Sequence, residues 1–300
     1  MQVQKKRKRK EDSDLDEMIQ YTRKIKKYRP LSKHLKTLNG LIGMKELKSS
    51  VAIQLQFILT TGGKMDSHFL NTSLVGPPGT GKTTVAEILH KIWMSLDLFH
   101  DDMPFTILNR GDFVGSYMGH TANKTRKTLS KYAGSVIFID EAYSLMNGEK
   151  DDAYGKECLD QLCAFMGEEK SKTIVIIAGY ENEINSNFFG ANAGLKRRFG
   201  WHFKIAPYTA SELFQIFECQ LKSCGWHVHK KAEELFHQYF KKFKNAGGDT
   251  ENLSFQAKLQ YAKDNWTNKK QSKQLTFEHV KKAMKEYFVE EETTEYNMYI

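Results

Sequence analysis

Gly76-Pro77-Pro78-Gly79-Thr80-Gly81-Lys82-Thr83 is the stretch that decides the fold of this 300-residue chain. The eight residues match the pattern G-x-x-x-x-G-K-[S/T] in full. Before them, Phe69–Val75 reads as a strand. After them, Val85, Ile88, Leu89, Ile92 and Trp93 recur at i, i+3, i+4, i+7 and i+8, which predicts an amphipathic helix opening at Lys82. A glycine-rich turn between strand and helix lets backbone N–H groups point inward as an anion nest, and the helix N-terminus adds its positive end. In that setting Lys82 reaches the β- and γ-phosphates of a nucleotide and the Thr83 hydroxyl is a ligand for Mg²⁺. Gly76, Pro77, Pro78, Gly79, Thr80, Gly81 and Thr84 complete the expected binding set. A plain glycine turn has no need of the Gly-Lys-Thr triplet.

Val136-Ile137-Phe138-Ile139-Asp140-Glu141 supplies the second half of the chemistry. A buried strand delivers two carboxylates at its C-terminal end, where α/β sheets place their sites. Asp140 is placed to hold Mg²⁺ through its water shell. Glu141 is placed to orient and polarise an attacking water. Solvated acids capping a strand would explain either residue alone but not the pairing with the phosphate loop.

Outward from these two motifs, strand-like segments at Phe105–Leu108, Ile174–Ala178 and Phe203–Ile205 alternate with helical patterns. Two of the strands are continuously apolar, as expected when both faces of a parallel sheet are covered. After Pro207 the strand signals stop, and Thr209-Ala-Ser-Glu212 reads as a capping box opening a helix. Further helices are expected from Lys231 to Lys244, ending at Gly247-Gly248, and from Phe277 through Val280, Ala283, Met284, Tyr287 and Phe288. The expected organisation is a disordered basic and acidic tail over 1–30, a nucleotide-binding α/β domain over 31–206, an all-helical domain over 207–290 and a C-terminal tail over 291–300.

The net charge is +9, but eleven Lys/Arg and five Asp/Glu fall in the first thirty residues, leaving the rest near neutral. This excludes a uniformly basic nucleic-acid-coating protein. The block Lys5–Lys10 reads as a nuclear localisation signal, as a weak nucleic-acid arm or as a solvated tail, so the nucleus and the cytoplasm stand as alternatives. No apolar run reaches the ~18 residues of a membrane helix. Cys158/Cys163 and Cys219/Cys224 are each five residues apart, about 140° around a helix, which argues against metal sites and for free thiols.

Gly-Pro-Pro-Gly-Thr-Gly-Lys-Thr with Phe-Ile-Asp-Glu-Ala resembles the AAA+ ATPases. Leu41-Ile-Gly-Met44, Asp112-Phe-Val-Gly-Ser-Tyr-Met-Gly-His-Thr121, Ala142-Tyr143, Tyr154-Gly155, Ile177-Ala-Gly-Tyr180 and Asn192-Ala-Gly-Leu-Lys-Arg-Arg-Phe199 narrow this to the CbxX/CfqX group. That group includes the red-type rubisco activases and sporulation stage V protein K, and the resemblance runs over about residues 38–290. It implies a five-stranded parallel P-loop core with a small helical lid, ATP and Mg²⁺ as cofactors, and Ile42 and Gly43 in the nucleotide contact. It also implies a homo-oligomeric ring, usually hexameric, with Tyr117, Met118 and Gly119 as a pore loop that grips a protein client. Arg198 takes the arginine-finger position, with Arg197 the weaker candidate. A loop tyrosine and a solvated Lys-Arg-Arg turn are the plainer readings of the same residues.

Three positions depart from the resembled pattern. Ala193 stands where a proline is usual. The polar residue expected at the end of the fourth strand falls near Tyr180 or Glu181. The helical domain has no Lys or Arg from Asn245 to Ala257, where a cation sensing the γ-phosphate is expected. The leading expectation is an ATP-hydrolysing remodeller of a protein client. The alternatives are a nucleic-acid ATPase with the tail as its arm, and a nucleotide-controlled scaffold with weak hydrolysis.

Overall fold

The computed structural model describes residues 13–61, 70–96, 103–115, 117, 119–146, 152–168, 173–267 and 272–297. The chain divides into two compact units, the first running to Pro77 and resuming over Gly81–Ala206, the second joining Pro78–Thr80 to Pro207 onward.

The first unit is built on a parallel sheet. Strands β1 (Thr72–Val75), β2 (Phe105–Leu108), β3 (Val136–Ile139), β4 (Ile174–Gly179) and β5 (Trp201–Lys204) lie in the order β2-β3-β4-β1-β5. Every pairing is parallel, with Thr72 opposite Ile176 and Val136 opposite Ile174. All of β3 and β4 is buried, as their unbroken apolar runs require when helices cover both faces. Between β1 and β2, the helix Lys82–Met94 buries Val85, Ile88, Leu89, Ile92 and Trp93, the stripe read from the sequence. Trp93 is fully buried and donates its indole N–H to Gln54 at 3.2 Å.

The expected disordered tail needs correction. Helix α1 (Ser13–Lys24) is followed by α2 (Arg29–Asn39) and α3 (Lys45–Thr60). Leu15, Met18, Ile19 and Thr22 are buried at i, i+3, i+4 and i+7, while the charged residues take the outer face. Each buried aliphatic side chain contributes roughly 1.5–3 kcal/mol, enough to fold a segment whose net charge suggested disorder. Asn39 Nδ2 donates to Asp16 Oδ1 at 2.9 Å across the same helical layer. The basic block Lys5–Lys10 lies outside the described residues.

The second unit is helical. Thr209 and Glu212 form the expected capping box at the start of Ala210–Ser223. The helix expected over 231–244 is shorter, Glu233–Tyr239, with single turns on either side. Gly247 opens a helix, Gly247–Asn265, which the sequence pattern did not reveal. Its buried face includes Thr250, Ser254 and Gln260 beside Leu253, Ala257 and Tyr261, so the apolar stripe is interrupted. Two-residue strands, His227–Val228 and Gln274–Leu275, pair in parallel within this unit. The helix from Phe277 continues to Asn297, past the expected end at 290. Within this unit Gly247 N–H donates to Gly79 C=O at 3.0 Å and Tyr208 hydroxyl donates to Thr80 C=O at 3.1 Å.

Candidate nucleotide site

The phosphate loop follows β1 directly. Gly79 and Gly81 take φ of +66° and +83°, the left-handed region that side chains disfavour, so these two glycines are required by the turn. Lys82 folds back over the loop and donates to the carbonyls of Gly76 at 3.0 Å and Pro77 at 2.8 Å. Burial lowers its ammonium pKa, while Asp140 and Glu141 pull the other way. A partly desolvated cation hydrogen-bonded to neutral carbonyls is a strong site for an incoming anion.

Asp140, at the end of β3, accepts the Thr83 hydroxyl on Oδ2 at 3.1 Å. Its other oxygen accepts the Glu141 N–H at 3.0 Å. The two residues expected to hold Mg²⁺, distant in sequence, thus come together. Two hard oxygen donors with room left for waters and phosphate oxygens fit Mg²⁺ better than a soft metal. Among the described residues no group of three His, Cys, Asp or Glu could hold a metal by itself. Glu141 is exposed and has φ +48° and ψ +46°, a left-handed backbone outside glycine.

The loop Leu41–Met44 also reaches this region. Gly43 and Met44 both have positive φ, and Lys48 Nζ holds the carbonyls of Asn39 and Leu41 at 2.9 and 2.6 Å. Met44 Cε lies 3.6 Å from the point a Cβ on Gly81 would occupy, so the Met44 side chain, next after Ile42 and Gly43, reaches the phosphate loop. Thr84, one residue beyond Thr83, is exposed.

Three further residues join the site without having been singled out for a role. Tyr180, just past β4, stacks on Tyr143 with centroids 5.4 Å apart and planes 24° apart. Lys82 Nζ lies 5.4 Å from the Tyr180 ring centroid. Burial pushes the Tyr143 phenol well above the ordinary range, and the Glu141 charge and hydrogen bonds to Glu141 and Tyr180 push it further. Glu181, the other residue considered at this strand end, turns to Lys204 instead, Oε2 to Nζ 2.5 Å. Arg110 Nη1 donates to the carbonyls of Ser144, at 2.9 Å, and Leu145, while Nη2 meets Asp152 Oδ2 at 3.3 Å. The available signal was position: an aromatic at the end of strand four and another two residues past Glu141.

Arg198 sits apart from this cluster in its own segment. Its Nη1 donates to Gly194 C=O at 2.9 Å, and its backbone carbonyl accepts from Asn71 Nδ2 at 3.1 Å. Arg197 is exposed. Where proline was expected, Ala193 opens a short helix whose cap is Asn192, accepting from Gly194 N–H at 2.8 Å and donating to Asp160 at 2.7 Å. Tyr117 is 69% exposed and meets His120 edge-on at 5.6 Å. It borders an open cavity of about 540 Å³ that also takes in His120, Lys124 and Lys127. Gly119 has φ +76°, and Met118 lies outside the described residues. All four cysteines are free, and burial raises the Cys158 thiol to about 11.

Residues 72–194 match the family of ATPases associated with various cellular activities (AAA). The sheet order, the phosphate loop and the Asp–Glu strand end are those of that class, and the chain is an AAA-type P-loop protein. It is 33% identical to the chloroplastic ribulose bisphosphate carboxylase/oxygenase activase of Cyanidioschyzon merolae over 208 residues, 67% of this chain and 70% of that one. It is 32% identical to a cfxQ-like protein of Acanthamoeba polyphaga mimivirus over 236 residues, covering 77% of this chain and 58% of that protein's length. Within the AAA class the chain therefore belongs to the CbxX/CfqX group. The RuvB Holliday junction branch migration motor of Thermotoga maritima superposes with a TM-score of 0.57 at 19% identity, over 81% of this chain and 69% of that one, a likeness of fold. Among the described residues no helix is long and apolar enough to cross a membrane.

Proposed function

We propose that this chain hydrolyses ATP in a homo-oligomeric ring, hexameric as the resemblance implies, and uses the cycle to remodel a protein client. The observation that supports this reading is the Thr83–Asp140 contact at 3.1 Å, which brings the end of β3 to the start of the helix that carries Lys82. Lys82 exchanges the Gly76 and Pro77 carbonyls for phosphate oxygens, which are stronger acceptors because they are charged. Thr83 and Asp140 would hold Mg²⁺, which would supply neutralisation of the developing phosphate charge. Glu141 accepts a proton from the attacking water. Arg198 acts on the site of a neighbouring copy, and Tyr117 offers an exposed aromatic that grips polypeptide through apolar contact.

ATP turnover by the purified chain tests the first claim, with Glu141→Gln expected to reduce it by about 10²–10⁴-fold. Equal rates would remove hydrolysis from the account. Tyr117→Ala is expected to leave basal turnover within about twofold and to abolish client remodelling, because an exposed ring distant from the charge cluster contributes nothing to the chemistry. Retained remodelling would strip Tyr117 of its role.

A nucleotide-controlled scaffold is the second reading, favoured by one observation. From Asn245 to Ala257 the helical unit carries no Lys or Arg. Asp249 is buried there, accepting from Asn245 N–H at 2.7 Å and Tyr287 hydroxyl at 3.1 Å. With the cation that reads the γ-phosphate missing from this stretch or supplied from elsewhere, as by Lys258, hydrolysis would be slow relative to binding.

A further inference from the structure

Arg198 can serve a neighbouring copy only if its own chain holds it in place, and the segment that carries it is short. The helix Ala193–Lys196 spans four residues. A proline at its first position would preset the backbone for the helix, and Ala193 does not. The start is fixed instead by Asn192, which accepts the Gly194 N–H on Oδ1 at 2.8 Å. Asn192 is itself tied down, because its Nδ2 donates to Asp160 Oδ1 at 2.7 Å. Asp160 stands on a different helix, Ala153–Glu168.

The guanidinium of Arg198 meets the same two helices. Its Nη1 donates to Gly194 C=O at 2.9 Å. Its Nη2 lies 3.1 Å from the point that a Cβ on Gly167, near the end of Ala153–Glu168, would occupy. The backbone of Arg198 has an anchor of its own. Buried Asn71 donates Nδ2 to the Arg198 carbonyl at 3.1 Å and accepts the Val175 N–H at 2.8 Å, which ties the residue to β4. With that end fixed, the direction of the side chain follows from how the two helices sit together, and the Asp160–Asn192 hydrogen bond clasps them.

We propose that Asp160 and Asn192 are positioning residues for Arg198: their bond sets the short helix whose Gly194 carbonyl aims the guanidinium. A carboxylate acceptor makes this bond stronger than a neutral one would, which suits a surface contact that has to hold a direction. Direction matters here because a small misplacement of a group that acts on the transition state costs a large factor in rate. The inference rests on the reading of Arg198 as acting on the site of a neighbouring copy.

Steady-state kcat and KM for ATP in wild type, Asp160→Ala, Asp160→Asn and Arg198→Ala test it. Asp160 is exposed, so its replacement leaves the fold intact. Asp160→Ala is expected to lower kcat about fivefold, the worth of one surface hydrogen bond, with KM within about twofold. Asp160→Asn keeps an acceptor for Asn192 and should return to within about twofold of wild type. Arg198→Ala should fall by about 10³-fold or more. Each weakened variant is then mixed with Glu141→Gln, whose copies turn over little ATP but carry an intact clasp and Arg198. Turnover per Asp160→Ala copy should rise toward the wild-type value, since the neighbour supplies the finger. An unchanged kcat in Asp160→Ala, equal losses in Asp160→Ala and Asp160→Asn, or a loss that Glu141→Gln copies do not restore overturns the clasp alone, provided that Arg198→Ala is impaired and restored. Arg198→Ala equal to wild type, or not restored by the same mixing, overturns the finger reading and the clasp with it. A wild type that turns over no ATP overturns the hydrolysis reading and both of these.

Discussion

Two helices, one in each unit, begin beside a glycine and carry opposite charges in their first turn. Lys82–Met94 opens after Gly81 with Lys82 and Thr83, while Gly247–Asn265 opens at Gly247 with Asp249 close behind. Every helix N-terminus exposes unpaired N–H groups and a partial positive charge, so each could receive an anion. In the α/β unit that capacity is left open. Gly79 and Gly81 bend the loop, and Lys82 is held by two neutral carbonyls and a ring face. In the helical unit the helix start already carries a carboxylate, Asp249, which is buried and accepts from Asn245 N–H and the Tyr287 hydroxyl. The same helix chemistry accompanies a candidate binding site in one case and a buried, internally bonded carboxylate in the other, and the charge carried within the first three positions is the difference.

Substitution of the two charges should break this comparison in opposite ways. Lys82→Ala is expected to weaken ATP binding by roughly 10–100-fold, the loss of a charge-assisted contact, with the melting temperature unchanged or raised because a partly desolvated cation is removed. Fluorescent-nucleotide titration and calorimetry would check both. Asp249→Ala should leave that affinity within about twofold and instead cost about 1–3 kcal/mol of stability, since buried donors lose their acceptor. A large affinity loss with Asp249→Ala, or none with Lys82→Ala, would mean that the two helix starts are not the contrast described.

What could be read from the sequence followed the same division. The phosphate loop and Asp140-Glu141 were legible because their chemistry demands particular residue types at fixed spacing, next to a strand and a helix. The strands β3 and β4 were legible because burial on both faces makes them wholly apolar. Helix Ser13–Lys24 was obscured by counting charge over a window, which averages out the stripe of Leu15, Met18 and Ile19. Helix Gly247–Asn265 was hidden because Thr250, Ser254 and Gln260 are buried where an apolar residue is expected. The sequence places Tyr143 and Tyr180 just past the ends of β3 and β4 but does not show that their rings stack. Their meeting depends on β3 and β4 lying side by side, so that the turns after each strand converge.

The central claim is that Lys82, Thr83, Asp140 and Glu141 form one working site, in which binding and turnover are separable. The direct measurement is ATP affinity and ATP turnover on the same preparation of Glu141→Gln. Affinity within about threefold of wild type together with turnover reduced by about 10²–10⁴-fold is the predicted result. Turnover equal to wild type, or affinity lost along with it, would contradict the account.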